Sequence, residues 1–219
     1  MKTLFFFMSL FLGIGSGSGA AADVDLAPVK QWVERTSKLK TFTATFTQLR
    51  YLKTVRKPLE SSGTISFAAP DSIRWQSAKL IATMKSGDNL TIQRPEKMEA
   101  EVIAHSQLQE KADDHGVAFL ESGFPRSFEE FQKKFTVTAV TKTGAMWQVE
   151  TKLAESANPI VRKFILLIHD GSFTLGGLQF FFRDGSRIES TFTNLKENPA
   201  LPADCFKPDL KGYTIKNVK

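Results

Sequence analysis

Residues that could act as acids, bases, nucleophiles or metal ligands are few and far apart in this sequence. The three histidines occupy positions 105, 115 and 169, and Cys205 is the single cysteine among 219 residues. A histidine that works as a base or a metal ligand needs partners near it, and no partnering motif surrounds these three. A single cysteine excludes an internal disulfide and a cysteine-rich metal site. We therefore expect surface or turn histidines and no metal centre.

Catalytic motifs are absent as well. The sequence has no Gly-x-Ser-x-Gly elbow, no His-Glu-x-x-His pair, no phosphate-binding glycine loop and no Cys-x-x-Cys. Glu99, Glu101 and Glu110 could form a carboxylate pair, but solvated surface charges are the more common use of such residues. The sequence thus predicts a protein that is not an enzyme and that holds no cofactor. A secreted hydrolase is the alternative, and it would need a polar pocket with a nucleophile beside a base.

The composition instead provides apolar surface. Phe accounts for 19 residues, against 2 Tyr and 3 Trp, and hydrophobic residues make up 42% of the chain. Phe adds a large apolar area without a group that needs a hydrogen bond. This composition excludes a chain that is disordered as a whole, and it predicts a domain with much apolar surface to bury.

The first 22 residues have the three parts of a secretory signal peptide. Lys2 provides the positive start, an apolar stretch covers 4–14, and small residues follow and end in three alanines. The alternative is a membrane anchor, but this apolar stretch is shorter than the ~20 residues that span a bilayer. We expect cleavage after Ala22, so that 23–219 forms one exported domain.

Basic residues are concentrated in one loop of a chain whose net charge is +6. They are Arg50, Lys53, Arg56 and Lys57. Such a cluster can meet nucleic acid, an anionic membrane or an acidic partner. The export signal argues against nucleic acid. A solvated hairpin tip is the simplest interpretation, and docking to a membrane surface or to a partner is the alternative.

The exported part of the chain has mainly the pattern of β-strands. A helix is predicted over 26–39, where Val29, Trp32 and Val33 fall on one face. The period then changes to two, because apolar residues and threonines alternate over 41–48. Roughly ten short strands are predicted, over 41–48, 60–67, 72–76, 80–84, 90–94, 136–141, 146–153, 161–169, 173–183 and 187–193, and 97–103 could be another. Short strands separated by turns indicate an antiparallel sheet that is curled or closed.

A helical region interrupts these strands at 106–134. Helical pieces are predicted over 107–112 and 117–120. Ser127 and Glu130 have the spacing of a capping box, in which each side chain satisfies the other residue's backbone N–H. The region therefore predicts at least one short helix in the middle of a β domain.

Two predicted strand segments are apolar on both faces. They cover 164–168 and 178–182. A sheet with one face in water should alternate apolar and polar residues there. The second face must consequently be covered, and the helical segments are the candidates.

Three spaced motifs within residues 42–76 resemble one family of exported proteins. The motifs are Phe42-x-Ala44-x-Phe46-x-Gln48, Ser62-Gly63-x-Ile65-x-Phe67 and Pro70-x-x-Ile73-Arg74-Trp75. Their order and spacing, after a signal peptide and one helix, resemble the outer-membrane lipoprotein carrier protein family (LolA).

The resemblance implies a fold and a function. The fold is mainly β with helices (α+β): an incomplete, strongly curved antiparallel β-barrel with a helical lid over an apolar cavity. The function is to shield the acyl chains of lipoproteins in the periplasm, in transit from the inner to the outer membrane. The implied partners are acylated lipoproteins, an inner-membrane ATP-driven lipoprotein-releasing complex and an outer-membrane lipoprotein receptor, and the carrier is expected to be a monomer. The alternative is the same fold binding another lipid or glycolipid, or sensing lipoproteins.

The resemblance also assigns roles to residues. Arg74 would reach into the cavity and latch the lid by hydrogen bonds, which would turn Trp75 to the opposite face of the strand. The candidates for the lid are Phe124, Phe128 and Phe131. The candidates for the acyl cavity are Phe42, Phe46, Ile65, Phe67, Leu166, Ile168, Phe180 and Phe182. For the first four of these, ordinary core packing stays open as the alternative to ligand contact.

Overall fold

The computed structural model describes residues 24–104, 106, 124–153 and 161–218. The helices and strands are α1 Ala27–Ser37, β1 Thr41–Tyr51, β2 Leu59–Ala68, β3 Ser72–Ser77, β4 Ile81–Met84, β5 Leu90–Arg94, β6 Glu99–Ile103, α2 Phe128–Lys134, β7 Phe135–Thr143, β8 Met146–Leu153, β9 Val161–His169, β10 Leu175–Phe182, β11 Arg187–Glu197 and β12 Thr214–Val218, with a 3-10 turn at Pro95–Lys97 before β6. The predicted signal peptide, the helical pieces predicted at 107–112 and 117–120, and His105, Glu110 and His115 lie outside the described residues.

The twelve described strands form one sheet in the order β12-β6-β5-β4-β3-β2-β1-β11-β10-β9-β8-β7. The neighbouring strands are antiparallel, except that β12 is parallel to β6. The two 11-residue strands β1 and β11 pair with each other and join two meanders, β1 to β6 and β7 to β11. The predicted fold class, mainly β with helices in an open and strongly curved antiparallel sheet, is confirmed.

Helix α1 is held in place by its buried apolar face and by an ion pair with β11. Pro28 lies in its first turn, where a missing N–H leaves no hydrogen bond unmade. The buried residues recur at helical spacing: Pro28, Val29, Trp32, Val33 and Thr36. Arg35 donates from Nε and Nη2 to the two carboxylate oxygens of Glu197, at 2.7 and 2.8 Å. This bidentate pair ties the exposed side of α1 to the end of β11.

Helix α2 begins with the predicted cap, in a modified form. Ser127 Oγ accepts a hydrogen bond from the Glu130 backbone N–H at 3.1 Å, as expected. The Glu130 carboxylate, however, accepts from the backbone N–H of Arg126 at 2.9 Å, one residue earlier than a standard capping box places it. The helix ends at Lys134, so that Phe135 begins β7. No helix within the described ranges is long and apolar enough to cross a lipid bilayer.

Side-chain alternation separates an apolar inner face from a more polar outer face. In β1, Phe42, Ala44 and Phe46 are buried, and the threonines between them are partly exposed. Phe42 lies opposite Phe67 on β2, and Ala44 lies opposite Ile65. Since each strand pairs in register with the next, the alternation continues across the sheet and collects the apolar side chains on one side.

The two described helices, α1 and α2, pack on the inner face. The helical pieces predicted at 107–112 and 117–120, which were also candidates to cover the outer side of β9 and β10, lie outside the described residues. Lys163 lies over the Phe181 ring, with Nζ 4.9 Å from the ring centroid, and pairs with Glu150 at 3.1 Å. A long basic side chain thus covers part of this apolar surface with its methylene groups.

The segment after β11 crosses the outer face as a strap, residues 199–213. Thr41 Oγ1 donates to the Pro199 carbonyl at 2.7 Å near its start, and Gln93 Nε2 donates to the Asp209 carbonyl at 2.7 Å near its end. The strap leads into β12, which pairs with β6. Strand β12 was not predicted, because its pairing depends on a distant part of the chain.

Gly63 is required by close packing between β2 and β3. A Cβ added at this position would collide with the carbonyl oxygen of Gln76 and with the ring of Phe46.

We expect Gly63→Ala to lower the free energy of unfolding by about 1–3 kcal/mol, measured by urea denaturation. Ser62→Ala, at the exposed neighbouring position, is the control. Equal effects of the two substitutions would contradict this account of the packing.

Candidate functional site

The inner face is the candidate functional site, and it contains all eight residues predicted to line a cavity. These residues are buried in one apolar cluster: Phe42, Phe46, Ile65, Phe67, Leu166, Ile168, Phe180 and Phe182. They come from both meanders, which face each other across the curve of the sheet. Their contact with a ligand stays a prediction.

Trp75 also faces the interior, contrary to expectation. Its ring stacks on Phe46 with centroids 3.9 Å apart and meets Phe192 edge-on at 6.2 Å. It lies opposite Ile65 on β2, so it belongs to the same face as the predicted residues. The pairing of Phe46 with Trp75 makes the centre of the N-terminal meander aromatic.

Arg74 therefore points outward, and its expected position inside the cavity is wrong. It lies opposite Ser66, on the face that the strap crosses. Its Nε donates to Gln76 Oε1 at 2.9 Å, and its Nη1 donates to the Cys205 carbonyl at 3.5 Å. The alternation of Ile73, Arg74 and Trp75 was a signal for this arrangement, since two apolar neighbours on one face leave the arginine on the other.

Phe124 and the two described helices cover part of the inner face with aromatic rings. Phe124, which is only 5% exposed, meets the rings of Phe67 and Phe42 edge-on, with centroid distances of 4.9 and 5.2 Å. Trp32 of α1 lies 6.5 Å from Phe124 and 6.0 Å from Phe131. The rings of Phe124 and Phe131 thus lie against Trp32 and, for Phe124, against the sheet, and their role as a lid stays a prediction.

Phe128, the third lid candidate, has a more peripheral position. It is half-buried and stacks on Phe131 with centroids 6.2 Å apart. Lys30 Nζ lies 5.4 Å from its ring centroid, on α1. Phe128 therefore joins the two helices to each other rather than to the sheet.

Aromatic contacts continue from the helices into the C-terminal meander. Phe131 lies 5.1 Å from Phe135, Phe135 lies 5.6 Å from Phe164, and Phe164 lies 4.9 Å from Phe180. The sequence had not singled out Phe135 or Phe164 for this site. An unbroken series of rings consequently links the two sides of the sheet through the helices.

The space near α1 is closed in this structure. A cavity of about 10 Å³ remains there. It is lined by Arg35, Thr36, Leu39, Phe42, Phe124, Thr174, Leu175, Leu195 and Glu197. A void of this size holds no more than about one water molecule. A larger apolar molecule could enter this part of the interior only by displacing Phe124 or α1.

Polar groups inside the site are few, and two of them are satisfied locally. Gln48 Nε2 donates to Ser190 Oγ at 3.1 Å, and Thr151 Oγ1 donates to the Phe164 carbonyl at 3.1 Å. Trp32 Nε1 is buried without a hydrogen-bond partner. An unpaired buried donor costs about 1–3 kcal/mol.

One charged pair lies at the border of the inner face, and the sequence had not indicated it. Arg94 Nη1 pairs with Glu101 Oε2 at 3.1 Å, both side chains being partly exposed. Arg94 follows Leu90 and Ile92 in the alternation of β5, so it extends from the apolar side of the strand.

No group of three or more His, Cys, Asp or Glu side chains within the described part of the chain is placed to hold a metal ion. The arrangement is suited to binding apolar molecules.

Comparison with known proteins identifies the family. Residues 37–209 match the family model described as "Outer membrane lipoprotein carrier protein LolA". The chain belongs to this family. It is 30% identical over 171 residues to an outer-membrane lipoprotein carrier protein of Dechloromonas aromatica (strain RCB), a match that covers 77% of this chain and 76% of that protein. The resemblance carried by the motifs in residues 42–76 is thereby confirmed.

Solved structures are similar to this chain at low sequence identity, and the first named below shares its fold. An uncharacterized conserved protein from Thermus thermophilus is similar with a TM-score of 0.54 and 8% identity, covering 87% of this chain and 99% of that one. A LolA superfamily protein from Nitrosomonas europaea has a TM-score of 0.43 and 8% identity, covering 81% of this chain and 96% of that one.

The stacked position of Phe46 allows a direct test of the inner face. Phe46→Asp would bury a carboxylate beside the Trp75 ring, and we expect the free energy of unfolding to fall by more than about 4 kcal/mol. Thr47→Asp, on the exposed outer side of β1, should lower it by about 1 kcal/mol or less, since Asp is less favoured than Thr in a strand. Both values are measured by urea denaturation. Similar losses in the two variants would show that Phe46 does not face an apolar interior.

The outward position of Arg74 leads to a second prediction. Arg74→Leu should leave the binding and release of an acylated peptide unchanged, because the side chain bonds to Gln76 and to the strap. Its free energy of unfolding should fall by about 1 kcal/mol from the lost hydrogen bonds. Fluorescence titration and a stopped-flow release assay provide the measurements. A changed release rate at unchanged stability would restore a latching role.

Proposed function

We propose that this chain is a periplasmic carrier that shields the acyl chains of lipoproteins in transit from the inner to the outer membrane. The observation that carries the proposal is the aromatic inner face of the sheet. Phe124 and the two described helices cover this face, and its side chains are mainly apolar. Membership of the lipoprotein carrier family supports it. The chemistry is binding and release, with no bond made or broken.

The free energy of acyl chains in water explains the need for such a face. Each buried CH₂ group is worth ~0.8 kcal/mol, so a chain of about a dozen methylenes gains roughly 10 kcal/mol on leaving water. A carrier must supply apolar contact of this magnitude and must still release its cargo. Phe supplies apolar area without polar groups that would demand partners of their own.

Phe124 provides a physical means of release in this proposal. In the closed form its ring occupies contacts with Phe42 and Phe67 that an acyl chain would otherwise take. Edge-on aromatic pairs contribute about 0.5–1.5 kcal/mol each beyond buried area. The protein's own rings therefore compete with the cargo, which lowers the net affinity and favours return to the closed form after delivery.

The route of the cargo follows from the same proposal. Residues 1–22 would direct export and be removed, leaving 23–219 as a single monomeric domain. An inner-membrane ATP-driven lipoprotein-releasing complex would load the carrier, and an outer-membrane lipoprotein receptor would accept the cargo. Both handovers would require α1 and the Phe124 region to move away from the sheet.

Purification and genetics test the function as a whole. Protein isolated from the periplasm without detergent, examined by native mass spectrometry, should carry an acylated protein. A deletion strain should retain lipoproteins in the inner membrane. Bound free lipid or glycolipid, with normal lipoprotein localisation, would favour the alternative function on the same fold.

Truncation of Phe124 tests the competition between ring and cargo. Phe124→Ala should lower the stability of the empty protein by about 3–5 kcal/mol and should bind a synthetic dipalmitoylated peptide roughly tenfold more tightly, measured by calorimetry and fluorescence. Phe124→Leu, a milder change, serves if the alanine variant does not fold. Phe128→Ala, at the half-buried ring between the helices, is the control and should leave the affinity unchanged. Unchanged or weaker binding in both Phe124 variants would contradict the proposed competition.

A further inference from the structure

The hairpin tip between β1 and β2, Arg50–Leu59, combines positive charge with exposed apolar side chains. Four of its residues are exposed cations: Arg50, Lys53, Arg56 and Lys57. The tip itself contains no carboxylate, and Glu60 follows it on β2. The proposed carrier function makes no use of this surface.

Two large apolar side chains stand out of the tip among the cations. Val55 is 42% exposed and Leu59 is 54% exposed. The Val55 backbone N–H donates to the Leu52 carbonyl at 3.2 Å, which places Val55 in a tight turn at the apex. Both side chains keep about half of their apolar surface exposed, and this surface is available to an external apolar phase.

The turn between β10 and β11 supports the tip from the side. The Lys53 side chain lies against Gly185 in this turn. Arg187 stacks on the Tyr51 ring, with 3.6 Å between the guanidinium carbon and the ring centroid. These contacts hold the base of the tip against the neighbouring turn and strand of the sheet.

The supporting turn adds one cation and one anion. Arg183 and Asp184 are both exposed. Hydrogen bonds from Ser186, with Lys53 and Arg50 nearby, hold the pKa of Asp184 below its ordinary value, so this carboxylate stays charged. The tip and the turn together then have five cations against Glu60 and Asp184, a net charge of +3.

We propose that the β1–β2 tip docks on the surface of an anionic lipid bilayer. The cations lie at the level of the lipid phosphates, while Val55 and Leu59 enter the boundary between headgroups and acyl chains. Cationic side chains flanking apolar ones are the arrangement that an anionic membrane interface binds, because it offers negative charge beside an apolar layer. An acidic protein surface would bind the cations but would leave the two exposed apolar side chains without a role.

The location of the tip leaves the helices free during docking. It lies at the far end of β1 from the α1 junction, nine residues beyond Phe42. At ~3.3 Å per strand residue this is a distance of about 30 Å. A membrane bound at the tip therefore does not cover α1, and the inference does not depend on which cargo the inner face holds.

Vesicle binding tests the charge requirement. The full exported chain is mixed with vesicles of phosphatidylcholine alone or with about 30% phosphatidylglycerol added, equal in size, and the bound fraction is measured by flotation. We expect binding to the anionic vesicles that is weakened by salt and absent on neutral ones. Lys53→Gln/Arg56→Gln/Lys57→Gln should weaken it on the order of a hundredfold, at roughly fivefold per cation. Lys152→Gln/Lys207→Gln/Lys211→Gln removes three exposed lysines elsewhere and should reduce it far less.

A second pair of variants tests the apolar requirement. Val55→Ser/Leu59→Ser should weaken binding to the anionic vesicles about tenfold, with the difference persisting at high salt. Met98→Ser/Ile215→Ser is a matched control, because these side chains are 45% and 47% exposed at the β12–β6 edge of the sheet, several strands away from β1 and β2. Circular dichroism confirms that each variant is folded. The exposed positions of all four residues make loss of folding a minor concern in either variant.

Three results would overturn the proposal. The first is equal binding to neutral and anionic vesicles. The second is an equal loss of binding in the two sets of charge-removing substitutions. The third is binding to polyglutamate as tight as to anionic vesicles, with no effect of Val55→Ser/Leu59→Ser, which would indicate an acidic protein partner.

Discussion

A curved sheet that turns its phenylalanines to one side must keep that side out of water. Alternation places Phe42 and Phe46 of β1 on the same face as Phe67 of β2 and Phe192 of β11. Strand geometry allows no second choice, because a shift by one residue would expose the whole set. The helices, the Phe124 ring and the register between the two meanders can all be understood as consequences of this one requirement.

Apolar contact is non-directional, and this gives the inner face its chemical character. A surface of aromatic rings can bind different acyl chains with similar free energy, because the free energy depends on the apolar area that is buried and not on particular functional groups. Directional groups at this face, such as the Trp32 indole and the Arg94–Glu101 pair, are few among the described residues. Discrimination between cargoes would therefore fall mainly on such groups and on surfaces outside the apolar face.

The sequence allowed the local elements to be predicted, but not the distant pairings. The bounds of β5, β8 and β9 were predicted correctly, because period-two patterns and turn residues are local signals. The Arg74 prediction failed because a role implied by family resemblance was preferred over the alternation of its own strand. Strand β12 was missed because its partner, β6, lies far away in the sequence, and an exposed edge strand needs no apolar pattern.

The strap leads into β12, and this connection affects the order in which the strands of the sheet can pair. Residues 214–218 take their place beside 99–103, so the first meander obtains its outermost strand from a segment far later in the chain. Pairings between such distant segments form slowly, since a long loop must close before any contact is gained. The sheet therefore reaches its final topology only after residues 214–218 have become available to pair with β6. Until then the edge of β6 is open to pairing with other chains.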